Sequence, residues 1–147
     1  MSTDDITLRP AAASDRPAVA ELLRAAELPL DGVPAGLEHF IVATRGGEVV
    51  GAIGLEVYGD AALLRSAVVH PNLRGVGLGE RLVDAVLGEA RAQRIQDVTL
   101  LTTTAMDWFP RFGFTRINRA DVNPALLVSE ELRGACPATA VVMRRAL

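Results

Sequence analysis

The segment Val68–Gly79, VVHPNLRGVGLG, leads from an apolar strand into a glycine-rich loop and opens a helix. Gly75, Gly77 and Gly79 allow the backbone to approach a ligand with no Cβ in the way and to adopt positive φ where a turn needs it. The consecutive amides of Arg74, Gly75, Val76, Gly77, Leu78 and Gly79 can then face one concavity at a helix N-terminus. With the Arg74 guanidinium beside it, such a nest suits a phosphate or pyrophosphate. Two common phosphate loops do not fit. A Walker A loop needs Gly-Lys-Ser/Thr, and all fifteen basic residues of this chain are arginine. The dinucleotide fingerprint needs its third glycine one residue beyond Gly79 and sits near the first strand of its domain.

The elements around this loop alternate between strand and helix patterns with no break in composition, which predicts one domain over residues 1–147. Ile6 to Arg9 reads as a first strand. Ser14 or Asp15 can cap a helix that carries Ala18, Val19, Leu22, Leu23 and Ala26 on one side, with Pro17 tolerated in its first turn. Leu28 to Gly36, broken by Pro29, Gly32 and Pro34, reads as a loop. His39 to Thr44 and Glu48 to Val57 read as strands joined at Gly46-Gly47, and Ala61 to Val69 follows the Tyr58-Gly59-Asp60 turn. After the nest, Leu78, Leu82, Val86 and Ala90, flanked by Val83 and Leu87, form an apolar stripe at helical spacing. Val98 to Leu101 reads as a buried strand and Ala105 to Phe112 as a short helix. Phe114 to Asn118 and Ala138 to Arg144 read as closing strands. Between those strands, Asn123 to Leu132 reads as a helix roofing one end of the site.

Composition narrows the function classes. A chain of 147 residues, half of them apolar, can bury a core without staples. A net charge of −3 argues against a nucleic-acid partner, which normally meets a basic face. No apolar run approaches the length of a membrane span, and the acidic opening MSTDDI is unlike a signal peptide, so a cytoplasmic location is expected. A single cysteine, Cys136, excludes an internal disulfide and a cysteine-based zinc cluster, and no metal is expected. Arginine in place of lysine suggests a GC-rich bacterial genome.

Arg74-x-x-Gly77-x-Gly79 after a strand ending Val69-His70-Pro71 resembles the GNAT superfamily of acyl-CoA-dependent N-acetyltransferases. The likeness continues in Leu8-Arg9-Pro10 with Asp15, in Gly51, and in Ala105, Phe109 and Gly113-Phe114, in the order that superfamily shows. It implies an α/β (α+β) fold with a mixed, mostly antiparallel central sheet and helices on both faces, and acetyl-CoA as cosubstrate. It also implies that the Arg74–Gly79 amides hold the pyrophosphate, that Val68 and Val69 run beside the pantetheine arm, and that the Ala67 amide faces the thioester oxygen. Thr102 stands where many relatives carry a pantetheine-binding asparagine. Many relatives also carry a tyrosine four residues before the Gly-Phe pair, to protonate the leaving thiolate. Here that residue is Phe109, at a position that contacts the cofactor.

N-acetylation requires an amine to lose a proton, attack a thioester carbonyl and have the oxyanion stabilised. Glu56 is the candidate base. In a strand pair turning at Gly59-Asp60 it lies opposite Leu63, on the same face as Arg65. The two read equally well as a base with an acceptor-binding guanidinium or as a cross-strand salt bridge. Ser66 and His39 are further candidate acceptor contacts, His39 alternatively being a partly buried surface residue. Asp60 is a turn residue and a weaker candidate base. His70 reads as structural, Trp108 as core or pantetheine contact, and Cys136 as packing, since no His or Lys neighbours it to lower its pKa.

Gly54-Leu55-Glu56, Leu63-Leu64-Arg65-Ser66, Leu101–Ala105 and Cys136-Pro137-Ala138-Thr139-Ala140 with Met143 are similar to the small N-acetyltransferases of bacterial arsenic-resistance operons. The Leu-Arg-Ser strand is also similar to N-acetylglutamate synthases. Both likenesses imply a small amino-acid-like acceptor, in the first case an arsenic-containing one. A non-catalytic acyl-CoA-binding module and a protein or peptide N-acetyltransferase are the alternatives, and the latter would need a groove more open than the roof over residues 123–132 allows. A sheet edge near Val141 and Val142 could be covered in a homodimer.

Overall fold

A computed structural model describes residues 5–147; the acidic opening read from Met1 lies largely outside the described residues. The chain runs β1 (Ile6–Pro10), α1 (Arg16–Ala25), β2 (Phe40–Arg45), β3 (Glu48–Tyr58), β4 (Ala61–Val69), α2 (Leu78–Ala92), β5 (Asp97–Thr102), β6 (Thr115–Ile117) and β7 (Val141–Ala146). Among the described residues the strands form one seven-stranded sheet in the order β1-β2-β3-β4-β5-β7-β6. Every neighbouring pair is antiparallel except β4 and β5, which run parallel. The mixed, mostly antiparallel sheet expected from the sequence is present.

The two helices cover opposite faces because alternate strand residues point opposite ways. Val19 and Leu23 of α1 pack on Phe40, Val42 and Ala52. The α2 stripe of Leu78, Leu82, Val86 and Ala90 packs instead on Ala43, Val50, Ile53 and Leu64. Asp15 precedes α1 without capping it: its carboxylate takes hydrogen bonds from Arg9 at 2.7 and 2.8 Å and from the Ala12 amide at 2.8 Å. A Cβ on Gly54 would collide with the Phe40 ring, so only glycine lets that ring cross β3.

The feature that positions the site is a bulge in β4. Gly54 pairs with Arg65 but Ala52 pairs with Val68, so Ile53 faces two residues, Ser66 and Ala67. Ser66 takes the left-handed conformation at φ 59°, and an extra residue in a strand bends it and reverses its alternation. The reversal is visible in the packing. Ala62 and Leu64 join the α2 side of the core, whereas Val68, also even-numbered, joins the α1 side. Pairing between β4 and β5 stops at Leu63 opposite Thr99, and beyond that point the strands part and leave a wedge.

Three expectations need correction. Residues 105–112 do not form a helix; a single 3-10 turn, Phe109–Phe112, carries Pro110 in its first turn and ends at Gly113 with φ 86°. Residues 123–132 form two short turns, Pro124–Val128 and Glu131–Ala135, because Ser129 between them is extended. Val141 and Val142 do not lie at a sheet edge. Strand β7 sits between β5 and β6, and the edges belong to β1 and β6. No helix among the described residues is long and apolar enough to cross a membrane.

Candidate active site

The parted strands open a cavity of about 520 Å³. From β4 come Arg65, Ser66, Ala67, Val68 and Val69, and from β5 Leu100, Leu101 and Thr102. A second, adjoining cavity of about 260 Å³ is lined by Gly75, Gly77 and Gly79. Val69, Arg74, Gly79 and Trp108 line both, so the nest opens directly into the wedge.

The nest is built as its glycines require. Gly75 and Gly77 have φ of 83° and 85°, a region in which L side chains are strained, and Gly77 forms the N-cap of α2. The first amides of the helix have no intrahelical acceptor and carry the positive end of its dipole. The Leu78 side chain is buried in the core while Arg74 and Val76 stay exposed. Gly79 lies against Trp108, whose ring a Cβ would meet at 3.3 Å. His70 is structural: its Nδ1 accepts from the Asn72 amide at 3.1 Å and shapes the turn before the nest.

Gly77→Asp puts a carboxylate at the mouth of the nest and a side chain at a left-handed φ. Acetyl-CoA is expected to raise the melting temperature of the wild-type protein and to leave that of the variant unshifted. A ligand-induced shift of equal size in both would remove the nest from the binding site.

Around the middle of the cavity the side chains are apolar or already engaged. Phe109 and Trp108 stack edge to face at 5.0 Å and line the wall. The Thr102 Oγ1 accepts from the Ala105 amide at 2.9 Å, which fixes the turn leaving β5. The chain's single tyrosine lies elsewhere. Tyr58 donates its hydroxyl proton to Glu56, and its pKa is pushed up to about 12, by burial first and then by that carboxylate.

At the far end, Arg65 is the hub. Its side chain is wholly buried and donates four hydrogen bonds. The Nε donates to Ser66 Oγ at 3.1 Å, and Nη1 donates to the Asp31 carbonyl at 2.8 Å and Glu56 Oε2 at 2.7 Å. Nη2 donates to the Pro29 carbonyl at 3.1 Å and lies 3.5 Å from Glu131 Oε2. Arg65 lines the cavity, and its guanidinium ties the loop over residues 29–31 to the sheet. Glu56 stands beside it. Its two oxygens are taken by Tyr58 and Arg65, and it lines neither cavity. His39 is also absent from both linings, and its Nδ1 stands 3.7 Å from Glu89 on α2.

A buried carboxyl that does reach the cavity is Glu131, which the sequence reading missed. It is buried, lines the wedge beside Cys136, and shares Arg65 with Glu56. Its pKa is pushed up to about 7, chiefly by burial; the Glu56 charge adds to the rise, and Arg65 and the Cys136 thiol hold it back. Burial pushes the Cys136 thiol up to about 11, with the Glu131 charge adding to the rise. Nothing in the acidic run Ser129-Glu130-Glu131 distinguishes Glu131 from its solvated neighbour Glu130. The signal lies in the turn that folds it back onto β4. Among the described residues, no group of three His, Cys, Asp or Glu side chains is placed to hold a metal ion.

Comparison with known proteins agrees with this architecture. An amino-acid acetyltransferase of Pasteurella multocida is 28% identical over 125 residues, which is 79% of this chain and 28% of that protein. One of Mycobacterium tuberculosis is 38% identical over 77 residues, 52% of this chain and 44% of its own length. The chain thus spans less than half of these curated relatives. Among solved structures, N-acetylglutamate synthase from Neisseria gonorrhoeae, complexed with coenzyme A and N-acetyl-glutamate, matches 97% of this chain and 35% of its own. The TM-score is 0.81 at 22% identity, a likeness of fold. A Mycobacterium tuberculosis protein solved in complex with CoA gives 0.78 at 26% identity over 96% of this chain and 99% of its own. Residues 36–116, more than half of the chain, match the family described as acetyltransferase (GNAT) domain. The chain belongs to that GNAT acetyltransferase family.

Proposed function

We propose that this protein transfers the acetyl group of acetyl-CoA to the amine of a small amino-acid-like acceptor by direct attack, with Glu131 as the base. The observation that carries the reading is the continuity of one cavity system, from the amides of Gly75–Gly79 between the parted strands to the Glu131 carboxyl. The pyrophosphate sits on the nest amides, and the pantetheine lies along Val68 and Val69 against Thr102 and Phe109. The thioester oxygen meets the Ala67 amide at the bulge. A base is most effective with a pKa near the working pH, and a carboxyl raised to about 7 suits an α-ammonium of pKa about 8. Arg65 positions the two carboxylates around it.

The amino-acid class of acceptor is supported by the names of the relatives. The arsenic-containing version rests on the likeness of Gly54–Glu56, Leu63–Ser66, Leu101–Ala105 and Cys136–Ala140 with Met143 alone. Glu27 and Glu131 line the cavity while the Arg65 guanidinium is spoken for. Uncharged or basic side chains on the acceptor should therefore be favoured over acidic ones.

The test is CoA release from acetyl-CoA with the free amino acids, arsenic- and phosphorus-containing analogues, polyamines and short peptides. Turnover is expected with free amino acids, faster for neutral and basic members than for aspartate and glutamate. Activity confined to peptides or polyamines would overturn the acceptor class. Acetyl-CoA binding with no turnover across the panel would favour the non-catalytic module, for which Phe109 in place of a tyrosine is the supporting observation.

A further inference from the structure

We propose that Glu131 also returns a proton to the departing CoA sulfur, through the Cys136 thiol, and so takes the place of the tyrosine acid that this chain lacks. The inference rests on the acetyl-transfer reading above and adds a second half-reaction to the same carboxyl. Three observations carry it. Phe109 offers no proton at its position, and the sole tyrosine is bound to Glu56 outside the cavity. Glu131 and Cys136 both line the wedge. Cys136 and Glu131 close one turn, in which the Cys136 amide donates to the Glu131 carbonyl at 3.3 Å.

The protons balance. The acceptor ammonium gives one proton to the Glu131 carboxylate, and the free amine attacks the thioester carbon, forming the N–C bond as the carbonyl electron pair moves to oxygen. When the oxyanion collapses the C–S bond breaks. The sulfur leaves with that electron pair and takes the Cys136 proton, while Cys136 takes the proton held on Glu131. The regenerated carboxylate accepts the second proton from the amide-forming nitrogen and loses it to solvent. A carboxyl of pKa about 7 is a stronger acid than a thiol of pKa about 8.5, so the net transfer runs downhill. A thiol raised to about 11 stays protonated and passes the proton without resting as a thiolate. The charged and titratable groups that act on the pair are Arg65 from β4, Glu56 from β3 with Tyr58 bound to it, and Arg119, whose charge reaches Cys136.

The experiment compares Cys136→Ser, Cys136→Ala and Cys136→Val with wild type, reading kcat and KM for acetyl-CoA with the free amino acids and with hydroxylamine as a minimal amine. The serine variant keeps a relaying hydroxyl and should stay within about threefold of wild type. The alanine and valine variants should lose about tenfold or more in kcat with KM for acetyl-CoA within about twofold. Valine fills the space without carrying a proton, so its loss separates relay from packing. Alanine and valine variants as active as wild type would overturn the relay and leave the transferase reading standing. A wild-type protein that releases no CoA with any of these amines overturns both.

Discussion

Glu131→Gln should lower kcat by about 10²-fold or more, the scale of a lost general base, with acetyl-CoA affinity unchanged because the nest lies at the other end of the cavity. The sign with pH follows from the carboxyl. Only ionised Glu131 can accept a proton, so wild-type kcat should climb about tenfold per pH unit below 7 and level off above it. The raised pKa of about 7 sets that bend. The variant loses the bend, and its deficit eases as the pH rises past the amine's own pKa of about 8. A kcat profile measured from pH 5.5 to 9.5 for both proteins decides the matter. An unchanged bend in the variant would move the titration to another group, and Glu56→Gln would then be measured beside it.

Arg65→Ala should act first on stability. The substitution leaves the Asp31 and Pro29 carbonyls without their donor and two carboxylates, Glu56 and Glu131, buried side by side with no cation between them. Removing one partner of a buried ion pair typically costs about 3–5 kcal/mol. In a domain of this size that corresponds to a fall in Tm of about 10 °C. Arg65→Lys should recover only part of the loss, because a point charge cannot reach acceptors on the loop, on β3 and on the turn at Glu131 together. Thermal unfolding of the three proteins at one pH reads this directly. An unchanged Tm with a raised KM for acidic acceptors would return Arg65 to the substrate-binding role that the sequence suggested.

These two residues mark where sequence reasoning stops. The nest, the Gly46-Gly47 hairpin and the α2 stripe are local: their chemistry is written in residues a few positions apart, and each appears in the fold where the sequence puts it. The pairing of Glu56 with Arg65 was legible too, since strand alternation puts them on one face. The other partners of Arg65 were not legible, because they are carbonyls of an irregular loop and Glu131, which no periodicity connects to β4. The β4 bulge was hidden for a related reason. Ser66 adopts a positive φ that its residue type does not announce, yet that bulge bends the strand and parts it from β5. The helix expected over residues 123–132 failed where Ser129 extends, and that break delivers Glu131 and Cys136 to the cavity.

The most direct measurement of the central claim is a crystal structure of the protein with acetyl-CoA bound. The account predicts the pyrophosphate on the amides of Gly75, Gly77 and Gly79, the pantetheine between β4 and β5, the thioester oxygen on the Ala67 amide, and the Glu131 carboxyl facing the thioester carbon across a gap the size of an amine. An acetyl-CoA that leaves the wedge between β4 and β5 empty, or a thioester turned away from Glu131, would contradict it.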